Sequence, residues 1–152
     1  MADRLHFVSA TERELRALDE RLEAFNVQQT GIDDIRPLGI AIRDETGRLL
    51  GGLKGATSLG WLYVSVLWME EDSRGHGLGT ELLRRAESEA ASRGCRAACL
   101  TSFSFQAPGF YLRQGYRIFG QLEDYPEGET MYFLTKLLDQ DRAGDETSPL
   151  SA

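Results

Sequence analysis

The amino-acid sequence predicts a mixed α/β (α+β) fold, a sheet layered with helices, and three observations carry that expectation. Two runs of period-two hydrophobicity flank an Asp44-Glu45-Thr46-Gly47 turn, a nine-residue apolar run follows at Trp61 to Met69, and a long amphipathic helix then alternates with short strands. With 152 residues, 41% hydrophobic and 27% charged, the chain has the size and balance of one globular domain. That domain is expected to occupy residues 1–138.

Taken in order, Leu5 to Val8 reads as a first strand. Thr11-Glu12-Arg13-Glu14 is a capping box, with Thr11 as N-cap and Glu14 reaching back, and Leu15, Leu18, Leu22 and Phe25 form the apolar stripe of a first helix. From Asn26 to Pro37 the period breaks, which predicts a loop or a broken short helix. Leu38, Ile40 and Ile42 alternate along a strand that the turn connects to a second strand over residues 49–57, a hairpin. Trp61 to Met69 is apolar on both faces apart from Ser65, so a central strand covered on both sides is expected. The next helix has Leu78, Leu82, Leu83, Ala86 and Ala90 as its buried stripe, Glu81–Arg85 and Glu89–Arg93 as i,i+4 pairs, and Gly94 as its stop. Ala97 to Thr101 is a short strand, and Pro108 to Gln114 a short helix ending at Gly115. Tyr116 to Leu122 and Met131 to Leu137 are the closing strands, joined by a turn-rich connector. Residues 139–152, with one large aliphatic side chain, are expected to be a disordered acidic tail.

A formal net charge of −7 argues against attraction to nucleic-acid phosphates. The charged N-terminal stretch is unlike a secretory signal, and no apolar run approaches a membrane span, so a cytoplasmic protein without membrane attachment is expected. Cys95 and Cys99 read as small thiols packed in or beside a strand. His6 and His76 are far apart, and no metal site is expected. Nothing in the pattern opposes a homodimer.

The stretch most informative about chemistry is Arg74-Gly75-His76-Gly77-Leu78-Gly79-Thr80, between a buried strand and an amphipathic helix. Glycines let backbone N–H groups approach a ligand closely, and a helix N-terminus presents unpaired donors at the positive end of its dipole. Such a turn suits a phosphate, and Arg74 adds a cation. A P-loop is excluded because no Lys follows Gly79. A Rossmann fingerprint is excluded because Thr80 stands where its third glycine belongs.

Arg74-Gly75-His76-Gly77-Leu78-Gly79 resembles the R/Q-x-x-G-x-G/A signature of the GNAT superfamily of N-acetyltransferases, and Tyr111-Leu-Arg-Gln-Gly115-Tyr116 resembles that family's tyrosine followed by Gly-Phe/Tyr. The resemblance implies a mixed, mostly antiparallel sheet of about six or seven strands, with helices on both faces and a central parallel pair splayed to hold acetyl-CoA. On this resemblance the backbone of Leu67, Trp68 and Met69 would pair with the pantetheine arm. The amides of Arg74, Gly75, His76, Gly77, Leu78, Gly79 and Thr80 would hold the pyrophosphate. Ser104 stands where the family often has an asparagine that contacts the arm. Asn26, Gln28, Tyr63 and Ser65 would line the acceptor slot.

The implied reaction is attack of a neutral primary amine of a small molecule on the thioester in a ternary complex. A protein or peptide acceptor, or a non-catalytic acyl-CoA-binding module, are the alternatives. At pH 7 the neutral form of an alkylamine costs roughly 4–5 kcal/mol, and the departing thiolate needs a proton. The resemblance assigns that proton to Tyr111, as general acid and as a cofactor-binding residue. Family members often carry a carboxylate or histidine on the central strand where this chain has Tyr63 and Ser65, so proton loss through water is expected.

Overall fold

The computed structural model describes residues 5–138, and the expected acidic tail at 139–152 lies outside the described residues. The chain divides into two compact units, Met1–Asp33 and Asp34–Ala152.

The first unit is built around one helix, α1 (Glu12–Thr30). The capping box forms as the sequence predicts: the Glu14 amide donates to the Thr11 hydroxyl at 3.3 Å, and the Thr11 amide to the Glu14 carboxylate at 2.8 Å. Two expectations are corrected. Leu5 to Val8 is not a strand, because the described residues of this unit include no other strand with which its backbone could form a ladder. Asn26 to Thr30 are not a loop but the last turn of α1. No glycine or proline interrupts them, the Thr30 hydroxyl donates to the Asn26 carbonyl at 2.8 Å, and the helix stops at Gly31, whose φ of 70° is left-handed.

The second unit is a six-stranded sheet. In chain order it comprises β1 (Arg36–Arg43), β2 (Leu49–Ser58), β3 (Trp61–Met69), α2 (Leu78–Ser92), β4 (Ala97–Phe103), α3 (Pro108–Arg113), β5 (Arg117–Glu123) and β6 (Thr130–Leu137). The spatial order is β1-β2-β3-β4-β6-β5, with every neighbouring pair antiparallel except β3 and β4. The fold class expected from the sequence is therefore observed: a mixed, mostly antiparallel sheet with one parallel pair and flanking helices.

Parallel strands need a crossover, and α2 supplies it. Its stripe of Leu82, Leu83, Ala86 and Ala90 is buried in one cluster with Leu38, Leu53, Leu62, Val64, Leu100 and Leu134. Each leucine so buried contributes about 1.5–3 kcal/mol. Both sequence-predicted ion pairs form along α2, Arg85 Nε to Glu81 at 2.6 Å and Arg93 Nε to Glu89 at 2.9 Å. Arg93 does more than the pairing rule anticipates, because its Nη1 also donates to the carbonyl of Pro37 and the hydroxyl of Thr57, both at 3.1 Å, tying the end of α2 to β1 and β2. Cys95 is buried after α2 and Cys99 lies half-buried in β4; neither is in a disulfide, and burial pushes the pKa of each thiol up. Among the described residues no helix is long and apolar enough to cross a membrane.

One expectation about β3 is corrected. The strand is central, but Tyr63, Val66 and Trp68 are 48%, 47% and 47% exposed. The strand is deeply buried only on the side of Leu62, Val64 and Met69, the face that shares its core cluster with the apolar stripe of α2.

Candidate active site

The parting of β3 and β4 is the feature from which the site is built. Their parallel register runs from Trp61↔Ala97 to Val64↔Leu100 and stops. Beyond it β3 continues to Met69 on β2 alone, and β4 continues to Phe103 on β6 alone. The break coincides with a bulge. Lys54 faces Val66 while Gly55 faces Val64, which leaves Ser65 as an extra residue that bends β3. A Cβ at Gly55 would collide with the carbonyl oxygen of Tyr63, so the strand opposite the bulge requires glycine there. Ser65 itself donates its hydroxyl to the Lys54 carbonyl at 3.1 Å.

Between the diverging strands lies a cleft of about 920 Å³. Its walls are residues 64–69 of β3, residues 101–103 of β4, the glycine-rich turn into α2, and Phe110, Tyr111 and Arg113 of α3. Phe103 and Phe105 stand at its edge as a stacked pair, centroids 5.0 Å apart, and Phe103 stacks in turn on Tyr125 at 5.6 Å. The charged residues among those lining the cleft are Arg74 and Arg113. In a chain of net charge −7, a cleft whose charges are both positive has the electrostatic character that suits an anion.

The glycine-rich turn shows why this local sequence is needed. Gly75 and Gly77 have φ of 80° and 74°, a region that costs an ordinary residue about 1–2 kcal/mol. Nothing lies within 4 Å of where their Cβ atoms would stand, so the backbone is open to a ligand on that side. Gly77 is the N-cap of α2 and has no side chain to cap with, so the amides of Leu78, Gly79 and Thr80 keep their donors for something else. Gly79 has a different role: it is helical, and a Cβ there would meet the Phe110 ring at 3.5 Å, ordinary packing contact. Arg74 is fixed by its Nε, which donates to the Met69 carbonyl at 3.0 Å.

Tyr111 lies on α3 with its ring edge-on between Phe110 and Tyr116, at 5.1 and 5.9 Å. It is buried, its hydroxyl makes no hydrogen bond to another described residue, and burial raises its pKa, so it stays protonated through neutral pH. Tyr116 is held differently. Its hydroxyl donates to Glu87 at 2.9 Å, Lys136 closes the same carboxylate at 2.8 Å, and burial together with the Glu87 charge drives its pKa far up.

The cleft brings together Ser65, Leu67, Trp68, Met69, Arg74, Gly75, Gly77, Leu78, Gly79, Thr80 and Tyr111 from the residues that the sequence singled out. His76 and Tyr63 are absent from its lining, and Asn26 and Gln28 lie on the last turns of α1, in the first unit. Ser104 is also outside the lining and its hydroxyl is committed: it donates to Glu129 and accepts from the Thr130 amide. Sequence reasoning missed Ser102, Phe110 and Arg113. The first of these was legible as a polar residue in the buried alternation Ala98, Leu100, Ser102, and the other two lie on α3 one residue before Tyr111 and two after it.

Residues 6–116 match the family model described as the acetyltransferase (GNAT) family. The chain is similar to blasticidin-S acetyltransferase of Streptomyces morookaense, 41% identical over 125 residues that cover 79% of this chain and 92% of that protein. It is likewise similar to an acetyltransferase of Agrobacterium fabrum strain C58, 37% identical over 121 residues that cover 80% and 88% respectively. Among solved structures, the crystal structure of an acetyltransferase from Bacillus cereus superposes with a TM-score of 0.81 at 32% identity, covering 88% of this chain and 98% of that one.

Proposed function

The chain belongs to the GNAT family of acetyltransferases and is an acyltransferase, and from that premise we propose that it moves an acetyl group from acetyl-CoA to a primary amine of a small molecule in a ternary complex. The observation that carries this reading is the cleft between β3 and β4, which ends at a glycine-rich helix start and has Arg74 and Arg113 as its charges. Acetyl-CoA fits that donor set. Its pyrophosphate is an anion for the open amides of residues 75–80, and its arm is an extended amide chain for the ladder groups that β3 no longer shares with β4. The similarity to blasticidin-S acetyltransferase supports a small organic acceptor over a protein. So do the stacked rings of Phe103 and Phe105, which offer a flat wall suited to a compact molecule.

In this reading the amine nitrogen attacks the thioester carbonyl, and the carbon–sulfur bond breaks as the thiolate leaves. Tyr111 gives the thiolate a proton. Its raised pKa keeps the proton available, and the lack of a competing hydrogen bond leaves the hydroxyl ready to donate. The described residues lining the cleft include no carboxylate and no histidine, and the Ser65 hydroxyl is too weak a base to take the proton from an ammonium group. The amine therefore arrives neutral or loses its proton to water. The testing experiment is a thiol-release assay with acetyl-CoA over a panel of small amines and amino-terminal peptides. Release that depends on a small amine supports the reading, and release only with peptides overturns the acceptor assignment.

A further inference from the structure

We propose that Ser102, rather than Ser104, is the side chain on β4 that hydrogen-bonds the acyl-CoA arm, an inference that rests on the reading of the cleft given above. Ser102 is 1% exposed, and its Oγ is buried without a hydrogen-bond partner among the described residues. It also lines the cleft. The register places it at the opening. Leu100 is the last residue of β4 paired with β3, and Ser102, two residues on and on the same face of β4, lies beyond the point where the two strands part.

A sealed hydroxyl with no partner is unfavourable, and a methyl group in its place would remove the penalty. The arm of an acyl-CoA carries amide N–H and C=O groups and a thioester carbonyl, and a serine hydroxyl both donates and accepts. A ligand threaded between the strands thus completes an interaction that the protein alone leaves open. Ser104 is not available for it. Its proton goes to Glu129 and its lone pair to the Thr130 amide, which makes it a tie between the end of β4 and the start of β6.

The test is calorimetric titration of wild type, Ser102→Ala and Ser104→Ala with two probes, acetyl-CoA and adenosine 3′,5′-bisphosphate, which has the nucleotide end without the arm. Melting curves of the unliganded proteins accompany it. Ser102→Ala is expected to bind acetyl-CoA about five- to tenfold more weakly, the loss of one hydrogen bond, and the bisphosphate with wild-type affinity. Its unliganded melting temperature stays level or rises. Ser104→Ala keeps wild-type acetyl-CoA affinity and melts lower. Ser102→Cys, a near-isosteric weak donor, gives an intermediate loss and serves if the alanine variant does not fold. Unchanged acetyl-CoA affinity in both Ser102 variants overturns the proposal. So does an equal loss for both probes, or a lowered unliganded melting temperature, which would mean that the hydroxyl is already satisfied within the protein. Failure of wild type to bind acetyl-CoA would instead overturn the reading of the cleft itself.

Discussion

Tyr111→Phe separates a proton donor from a packing residue because the structure makes the two outcomes differ in kind. The substitution keeps the ring, with its edge contacts to Phe110 at 5.1 Å and Tyr116 at 5.9 Å, and removes only a hydroxyl that bonds to no other described residue. The ~1 kcal/mol that a paired hydroxyl forfeits is therefore not expected, and the melting temperature should hold. If the hydroxyl protonates the leaving thiolate, kcat falls about 10²–10⁴-fold, roughly 2.7–5.4 kcal/mol of barrier, while acetyl-CoA affinity is unchanged. The pH profile sharpens the distinction. Burial raises the Tyr111 pKa, so the wild-type rate climbs with the neutral fraction of the amine through the mildly alkaline range, without an early decline from loss of the Tyr111 proton. The assay is steady-state thiol release against the best amine, from neutral pH to about pH 9.5, with titration of acetyl-CoA into both proteins. Full kcat in Tyr111→Phe, under conditions where chemistry limits turnover, would refute the general-acid role. A lowered melting temperature with intact kcat would make Tyr111 a packing residue.

Three further outcomes follow from the same geometry. Tyr116→Phe, which breaks the bond to Glu87, should cost about 1–2 kcal/mol in chemical denaturation and leave kcat near wild type. The raised Tyr116 pKa means that the folded state holds a proton that the unfolded chain releases near pH 10, so stability is full below that pH and falls as pH rises above it; Tyr116→Phe should flatten this alkaline loss in a pH series of melting curves. Arg93→Ala should lower stability by about 2–3 kcal/mol, since Pro37 and Thr57 lose a charged donor, with little change in kcat; equal stability would show that these bonds contribute nothing. Gly79→Ala should be tolerated in melting and acetyl-CoA titration, because its Cβ would make ordinary contact with Phe110, and a large loss of affinity would mean that the first turn of α2 approaches the ligand more closely than that packing implies.

Much of the second unit was legible because its signals are local. Period-two runs, a Pro108 start and Gly94 and Gly115 stops fix strand and helix boundaries by backbone chemistry that needs no tertiary partner. The misreadings are those in which a partner decides. Leu5 to Val8 has the composition of a strand, but a strand exists only against another. Asn26 to Thr30 are mediocre helix formers that continue α1 because nothing stops it before Gly31. At the site, the glycine turn could be read from its residues, Tyr111 and the splayed strand pair came from the family resemblance, and the Ser65 bulge where the strands part could not be read, a one-residue register slip that the apolar run around it conceals. Ser102 and Ser104 show the same limit from the other side. Both are serines near the end of β4, and only their neighbours reveal that one hydroxyl is spent and the other is not.

The central claim is that acetyl-CoA lies between β3 and β4 with its phosphates on the turn at Gly75 to Thr80. Calorimetric titration of acetyl-CoA into wild type and Gly77→Val tests it most directly. The left-handed φ of 74° at Gly77 is strained for valine, and shifting it would swing the amides of the helix start away from the ligand. Wild type is predicted to bind one acetyl-CoA per chain, and Gly77→Val, still folded by its melting curve, to lose that binding. Wild-type affinity in the valine variant would place the phosphates elsewhere and contradict the account.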